Sequence, residues 1–588
     1  MIDFLITHKN NTIKTDQKSI WLDDQWQLFL FGNQYQIEEQ SEEKIILIGD
    51  SIDPVSSFHR LTGEEIFKKP GHFYVITIQK ESIKIYNSLF SMMPIYYYKQ
   101  ARIVSSSISL IKEYSKNSFT LDKKFILENL LFNYGFFNRS LFEEIRLLPT
   151  HTSVILQKGE ISFHKCIDIA EDLFGNSDPQ TKYDANQLSD LFIKTTQKYF
   201  PEQLFQIAFT SGFDGRTLVS CATHNHKAFE TFSVGKPEND DVSIPKRNAN
   251  SLKIPYRFFN LGESVYLDEY FNNALEYTTQ GYLGNGFLYA HFLYSTKEIT
   301  KTASHLLSGA CGSELFRALH NTGAVTSQAL VDLFRLEDDL AIKEALMNAQ
   351  PLKVLNLAEF SNELEELIDE VIHYKKELPT SLTPNQSFYF FVFEEIFRKF
   401  FGQWIYMQQK YIRVRTPYLD YEFVKALLSS KYAGANNDFF TKNPFKRMKG
   451  QYIYADIIKK TNRKIFCQKT GKGYRPADVR YFWNRYRVLM PFVQKRLKRK
   501  VAKTYLDNLG IISGIQKNKD AIKDLFSQDE VLFRNDFLKT SLDNLTPYTN
   551  EKERDILLMS VALLYNIKSD QTTIKNEDRE LINSIDRL

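Results

Sequence analysis

Through the first 170 residues the apolar positions come in short runs separated by polar turns: FYVITI at 73–78, SIKIYN at 82–87, PIYYYK at 94–99 and RIVSSSI at 102–108. Alternation enriched in Tyr, Ile and Val suits a pleated ribbon, so these runs predict strands of a mainly antiparallel sheet. The polar stretch at 171–187, EDLFGNSDPQTKYDANQ, gathers Gly, Asn, Pro and Asp and predicts a domain boundary. The rhythm then changes to strand and helix: LFQIAF at 204–209, a helix from about Gly215, FETFSV at 229–234, a helix from about Val242, and YRFFN at 256–260. Strands separated by helical stretches pair in parallel, with the helices as crossovers. From about residue 313 helical periodicity dominates. The expected division is a strand-rich domain at 1–170, an α/β parallel-sheet domain at 188–480 and a helical extension at 481–588.

The length of 588 residues exceeds what one core usually organises, and 47 Phe and 32 Tyr spread along the chain suit a globular protein throughout. A net charge of +4 points to neither a nucleic-acid nor a membrane partner. The one dense basic run, Lys495 to Lys503, reads either as a solvated helix face or as a dock for an acidic segment. Cys166, Cys221, Cys311 and Cys467 form no CxxC pair, which argues against a disulfide framework or a zinc knuckle and fits a reducing cytoplasm. His224 and His226 lack further ligands for a metal. The start, MIDFLITHKNN, shows no signal-peptide pattern. The most apolar stretch, Phe388 to Met407, carries Glu394, Glu395, Arg398 and Lys399 and is expected as a core helix rather than a membrane span.

The segment IAFTSGFDGRTLVS at 207–220 places a small, turn-rich loop between a strand and a helix. At the carboxyl end of a strand, the free N–H groups and dipole of the following helix favour an anion. Thr210, Ser211 and Gly212 suit a backbone wrap around a phosphate, Asp214 suits a Mg²⁺, and Arg216 adds a cation in the first turn.

This loop resembles the Ser-Gly-Gly-x-Asp-Ser loop of the asparagine synthetase family, with Gly212 and Asp214 matching, Thr210 and Ser211 standing for the first serine and glycine, and Gly215 for the last serine. Further blocks follow in family order. TFSVG at 231–235 resembles the second strand, whose valine meets adenine; LLSGACGSELF at 306–316 resembles Leu-Ser-Gly-Glu-Gly-Ala-Asp-Glu; RVRTPYLD at 413–420 resembles Glu-Ala-Arg-Val-Pro-Phe-Leu-Asp; and FCQKTGKGYRP at 466–476 resembles the segment whose catalytic lysine maps onto Lys469. Upstream, GHFYVITI at 71–78, NSLFSMMPIYYY at 87–98 and LDKKFILENLLFNYGF at 121–136 resemble the glutaminase half. The resemblance spans roughly residues 20 to 480. It implies an Ntn-hydrolase-like antiparallel sandwich followed by an ATP-pyrophosphatase domain. ATP would lie against Phe209, Thr210, Ser211, Gly212, Asp214, Gly215, Val234, Ser308 and Gly309, with Mg²⁺ on Asp214.

Several departures bear on chemistry. The family's glutaminase needs a cysteine at position 2, where this chain has Ile2, and an arginine clamp for glutamine's carboxylate, where it has Asn87. Glutamine hydrolysis is therefore not expected, and the first domain is expected to be structural or a docking surface. In this the chain resembles glutamine-independent members such as β-lactam synthetases and lasso-peptide macrolactam cyclases. The resemblance implies an ATP-dependent, AMP-forming ligase that adenylates a carboxylate and lets an amine attack, in peptide or specialised-metabolite biosynthesis, with macrolactam formation in a ribosomal peptide as the first expectation. Implied partners are a peptide or small-molecule carboxylate, a precursor peptide or its processing protein, and a second copy in a homodimer. Ala310 replaces a glutamate and Ser313 a metal-holding aspartate, which opens the alternative of a catalytically impaired binding scaffold. Glu314 is the nearest candidate base, at a position that in the family pattern more often has a structural role. Lys469 reads as a cation for the α-phosphate and departing pyrophosphate, or as a solvated loop lysine beside Lys464 and Lys472. Cys311 reads as a small buried residue or as a sulfur-transfer thiol.

Overall fold

The computed structural model describes residues 2–571, apart from 12, 14, 41, 81, 116, 176–182, 282–285, 318, 320, 321, 324, 438–448, 498–508 and 527–530. The first part holds two six-stranded sheets of mainly antiparallel strands. One runs through Asp3–His8, paired with Trp26–Phe31 and Ile103–Ser105. The other runs through Gly71–Gln79, paired with Glu43–Ser51 and Ser82–Asn87. Phe4, Ile6 and Leu28 from the first sheet meet Ile46, Ile76, Ile85 and Val154 from the second. Phe73 and Val75 face the other way, under Phe58, Ile66 and Phe67. Burial of both faces explains why FYVITI is nearly continuous in apolar residues rather than alternating. The run RIVSSSI stops being strand at Ser105, because the serines bond the neighbouring strand's backbone: Ser105 Oγ donates to the Phe4 carbonyl (2.6 Å) and Ser106 Oγ accepts from its N–H (3.0 Å).

The second part is a five-stranded parallel sheet. Its strands are β1 (Phe205–Ala208), β2 (Phe229–Gly235), β3 (Tyr256–Asn260), β4 (His305–Leu307) and β5 (Arg413–Arg415), in spatial order β3-β2-β1-β4-β5. The chain steps outward from β1 to β3, then returns to lay β4 on the other side of β1. That reversal leaves a crevice above the carboxyl ends of β1 and β4, where ligands of such sheets bind. Helices α1 (Asp214–His224) and α2 (Asp240–Leu252) follow β1 and β2. Helices do dominate from about residue 313, but β5 interrupts them unannounced. A three-residue strand is too short for its period to show.

The two parts are joined by buried polar contacts. The Asp3 carboxylate accepts from Lys410 Nζ (3.0 Å), Ser106 Oγ (2.8 Å) and the Tyr406 hydroxyl. Burial works against its charge, but these donors outweigh it and hold its carboxyl below the usual range. Arg415 grips Asp50 with two nitrogens at 2.8 and 3.2 Å, and His72 Nε2 lies 2.8 Å from Thr416 Oγ1.

The expected core helix at 388–407 comprises Pro384–Phe391, a wider π-helical stretch at Val392–Phe401, and Gly402–Gln409. Its charged residues turn inward and pair, Glu395 with Arg398 (2.6 Å) and Lys399 (2.5 Å). No described helix is long and apolar enough to cross a membrane. Beyond residue 481 the described elements are helices, from Arg485–Leu497 to Glu551–Gln571. Of the stretch 171–187, residues 176–182 lie outside the described residues, as do 498–503 of the basic run.

Candidate functional site

β1 ends at Ala208 and α1 begins six residues later, with Asp214 in its first turn, where an acidic side chain meets the helix's positive end. Gly215 permits this tight return. A Cβ there would stand 2.1 Å from the Ala208 carbonyl oxygen, so only glycine lets the helix fold back on its own strand. Phe209 is buried and engaged by β2, its N–H donating to the Phe232 carbonyl (2.8 Å) and its carbonyl accepting from Ser233 Oγ (2.5 Å). Thr210 Oγ1 accepts from the Gly212 N–H (3.3 Å) and folds the loop. Ser211 is taken by Asp241 in the first turn of α2, whose Oδ1 accepts from the Ser211 N–H (3.0 Å) and Oγ (2.5 Å). A carboxylate of the chain thus occupies one of the amides that the loop was expected to offer a phosphate.

The turn after β4 meets this loop from the other side of the crevice. Ser308 donates its N–H to the Arg415 carbonyl (2.8 Å), and Gly309 lies so near α1 that a Cβ would stand 2.9 Å from Asp214 Cβ. Helix α3 (Gly312–Phe316) follows. Its Ser313 Oγ donates to Asp214 Oδ2 (2.7 Å), the Tyr454 hydroxyl donates to Asp214 Oδ1, and the Tyr418 hydroxyl donates to the Asp214 carbonyl (3.0 Å). Half-buried Glu314 stands one residue further on, where burial and the Asp214 charge push its carboxyl up to about 7 against the pull of Arg317. Cys311 has a left-handed backbone (φ 65°), and burial together with Glu314 and Asp214 drives its thiol pKa well up. A thiol held protonated is unsuited to sulfur transfer. Val234 is half-buried in β2, aligned with Phe259 of β3.

Lys469, more than 250 residues from the loop in sequence, is brought beside it. Thr470 and Tyr474 close a small turn (Thr470 N–H to Tyr474 carbonyl, 2.9 Å), the Gly471 N–H donates to the Ser211 carbonyl (3.1 Å), and the Lys469 carbonyl accepts from Arg216 Nη2 (3.2 Å). The Lys469 side chain stays exposed. Arg216 departs from its expected place: it is fully buried rather than presented to a ligand, because a side chain in a helix's first turn points back toward the N-terminus, here beneath the loop.

The structure brings the expected loop, Gly309, Glu314 and the Lys469 turn together, and adds Asp241, Tyr418 and Tyr454, which the sequence reading did not name. The acidic first turn of α2 was the only local sign of Asp241. Nothing in the spacing of Tyr418 or Tyr454 announces either one.

Magnesium is commonly held by one or two carboxylates plus substrate phosphates, and Asp214 fits a single ion of that kind. Ser313, whose hydroxyl is directed at Asp214, supplies no second carboxylate. No group of three His, Cys, Asp or Glu suited to a metal occurs among the described residues. Replacing Asp214 with Asn would put an amide N–H₂ opposite a hydroxyl donor. Asp214→Asn is expected to weaken magnesium-dependent ATP binding by about tenfold or more, the scale on which even outer partners of a metal act. Calorimetric titration with and without Mg²⁺ checks this, and equal affinity for both proteins would remove Asp214 from the metal.

Residues 207–508, just over half of the chain, match the family model described as asparagine synthase. No curated protein matches the chain. The matched region is that of an ATP-dependent amide-forming ligase, and the chain belongs to the asparagine synthase family.

Proposed function

We propose that this protein is a glutamine-independent, AMP-forming carbon–nitrogen ligase. ATP is the nucleotide substrate, its phosphates lie over Gly212 and Ser308–Gly309 with adenine near Val234, and a substrate carboxylate attacks the α-phosphorus. Pyrophosphate leaves, and an amine displaces AMP from the acyl-adenylate to close the amide. Magnesium, held by Asp214 with the phosphates, supplies charge neutralisation on the polyphosphate. Lys469 stabilises the departing pyrophosphate, and Glu314 takes the amine's proton. The observation that supports this reading is the docking of the turn bearing Lys469 onto Ser211 and Arg216, through the backbone of Gly471 and Lys469.

Glutamine independence is supported by what stands in the first domain. Ile2 is buried in the sandwich core and Asp3 is tied to Lys410 and Tyr406. Asn87 spends its amide on the Met93 carbonyl (2.6 Å) and Ser91 Oγ (3.1 Å). An amine carried by the substrate then replaces ammonia, and a peptide whose side-chain carboxylate closes on its own amine is the substrate class proposed first. Purified protein is expected to release no glutamate from glutamine. Any release above background would overturn that expectation, and turnover surviving replacement of every cysteine would also sink the glutaminase-like reading of the first domain.

A second reading, a binding scaffold with impaired catalysis, is favoured by one observation: both Asp214 carboxylate oxygens accept from hydroxyls, Ser313 on one side and Tyr454 on the other. ATP–pyrophosphate exchange with a panel of carboxylates and precursor peptides, with AMP release followed in parallel, separates the two. Exchange with any cognate acid supports the ligase. Tight ATP binding without exchange for any of them supports the scaffold.

A further inference from the structure

Arg216 has 0% exposure, yet none of its hydrogen-bond partners among the described residues is a carboxylate. Its Nε donates to the Gly212 carbonyl (3.2 Å) and its Nη2 to the Lys469 carbonyl (3.2 Å). With its amide oxygen turned toward the guanidinium, Asn248 of α2 accepts from Nη1 (3.2 Å) and Nη2 (3.3 Å), and its nitrogen donates to Gln468 Oε1 (3.2 Å). Gln468 in turn donates to Ser251 Oγ (2.6 Å). Burial lowers the guanidinium to about 10, so it remains a cation at neutral pH.

Burying a charge against neutral partners is costly, and a core-filling residue needs no charge at that position. The partners share one feature: they belong to the three segments that must be held in register for the proposed chemistry, namely the phosphate loop, α2 and the turn bearing Lys469. We propose that Arg216 is a positioning residue that fixes the Lys469 turn against the phosphate loop, with the planar fork of its guanidinium setting their separation. Lysine keeps the charge and loses the fork. The inference rests on the ligase reading only for its activity arm.

The test compares wild type, Arg216→Lys and Asn248→Ala, each with and without inorganic pyrophosphate and Mg²⁺, by hydrogen exchange at residues 467–473. The Gly471 amide, bonded to Ser211, is expected to exchange about tenfold faster or more in both variants, while the rest of the parallel sheet keeps its protection. Pyrophosphate is expected to slow exchange in this turn in the wild type and to do so much less in the variants. In turnover, Arg216→Lys is expected to lower kcat about tenfold or more with little change in KM for ATP. Lys469→Ala should then cost much less in the Arg216→Lys background than in the wild type, as for residues that act together.

Wild-type exchange and turnover in Arg216→Lys would overturn the positioning role, because charge alone would then suffice. Faster exchange throughout residues 205–260, without selectivity for the turn, would overturn it in favour of a general packing role. Should Arg216→Lys fail to fold, Asn248→Ala alone decides, since it loosens the same fork while leaving the guanidinium and its bonds to Gly212 and Lys469 in place. Absence of turnover in the wild type would defeat the ligase reading, and hydrogen exchange in the turn would then decide the role of Arg216 by itself.

Discussion

Lys469→Ala is expected to lower turnover by about a hundredfold or more while changing ATP affinity modestly, the scale seen when one preorganised electrostatic stabiliser is removed. Negative charge on the pyrophosphate grows as its bond to the α-phosphorus breaks. A fixed cation there gains more in the transition state than in bound ATP, and the loss therefore falls on kcat rather than on binding. The geometry fixes the backbone that carries the cation: the turn closes on itself at Thr470 and Tyr474 and is held by Ser211 and Arg216, while the Lys469 side chain remains exposed. Lys472→Ala is the matched control, since it removes the same charge from the same turn. A small effect for Lys472→Ala beside a large one for Lys469→Ala supports the assigned role, and small, equal effects of both on an established activity would remove Lys469 from the chemistry.

The outline of the fold was legible because it rests on periodicity. The runs at 73–78 and 82–87 pair as antiparallel neighbours, and the runs at 204–209, 229–234 and 256–260 form three adjacent parallel strands. The strand, loop and helix at 207–220 were legible because a turn-rich segment separates two periodic runs, while the phosphate-binding and Lys469 roles rest on the order of the family motifs rather than on any local pattern. The remainder depends on tertiary approach. Asp241 reaches Ser211 only because β1 and β2 are neighbours in the sheet, which sets α2 beside the loop. Tyr454 reaches Asp214 from Lys449–Thr461, a helix whose sequence looks like any amphipathic helix. Arg216 was visible as a cation, but its burial follows from the direction in which a first-turn side chain leaves its helix. The exchange of an aspartate for Ser313 was visible too. Its consequence, a hydroxyl donated to the remaining carboxylate, required the approach of α3 to α1.

Glu314→Gln is expected to lower turnover by about a hundredfold or more at pH 8, within the range that a positioned general base contributes. A base works only when ionised, and burial together with the Asp214 charge raises the Glu314 carboxyl from 4.5 to about 7. The wild-type rate of amide formation with saturating ATP is therefore expected to rise with pH and level off once Glu314 is deprotonated, at or below about 7 because magnesium on Asp214 would offset the part of the shift that its charge causes, whereas Glu314→Gln should show a low rate without that rise. The same shift has a stability consequence of fixed sign. The folded protein holds this proton more tightly than the unfolded chain does, so the contribution is fully present below about 4.5 and is lost as pH rises through about 7. Glu314→Gln should flatten that part of the stability profile, which denaturant titration at a series of pH values reads independently of activity. A rate that levels off at the same pH in Glu314→Gln as in wild type would show that another group takes the amine's proton. A flattened stability profile with an unchanged rate profile would keep the raised carboxyl and discard its catalytic role.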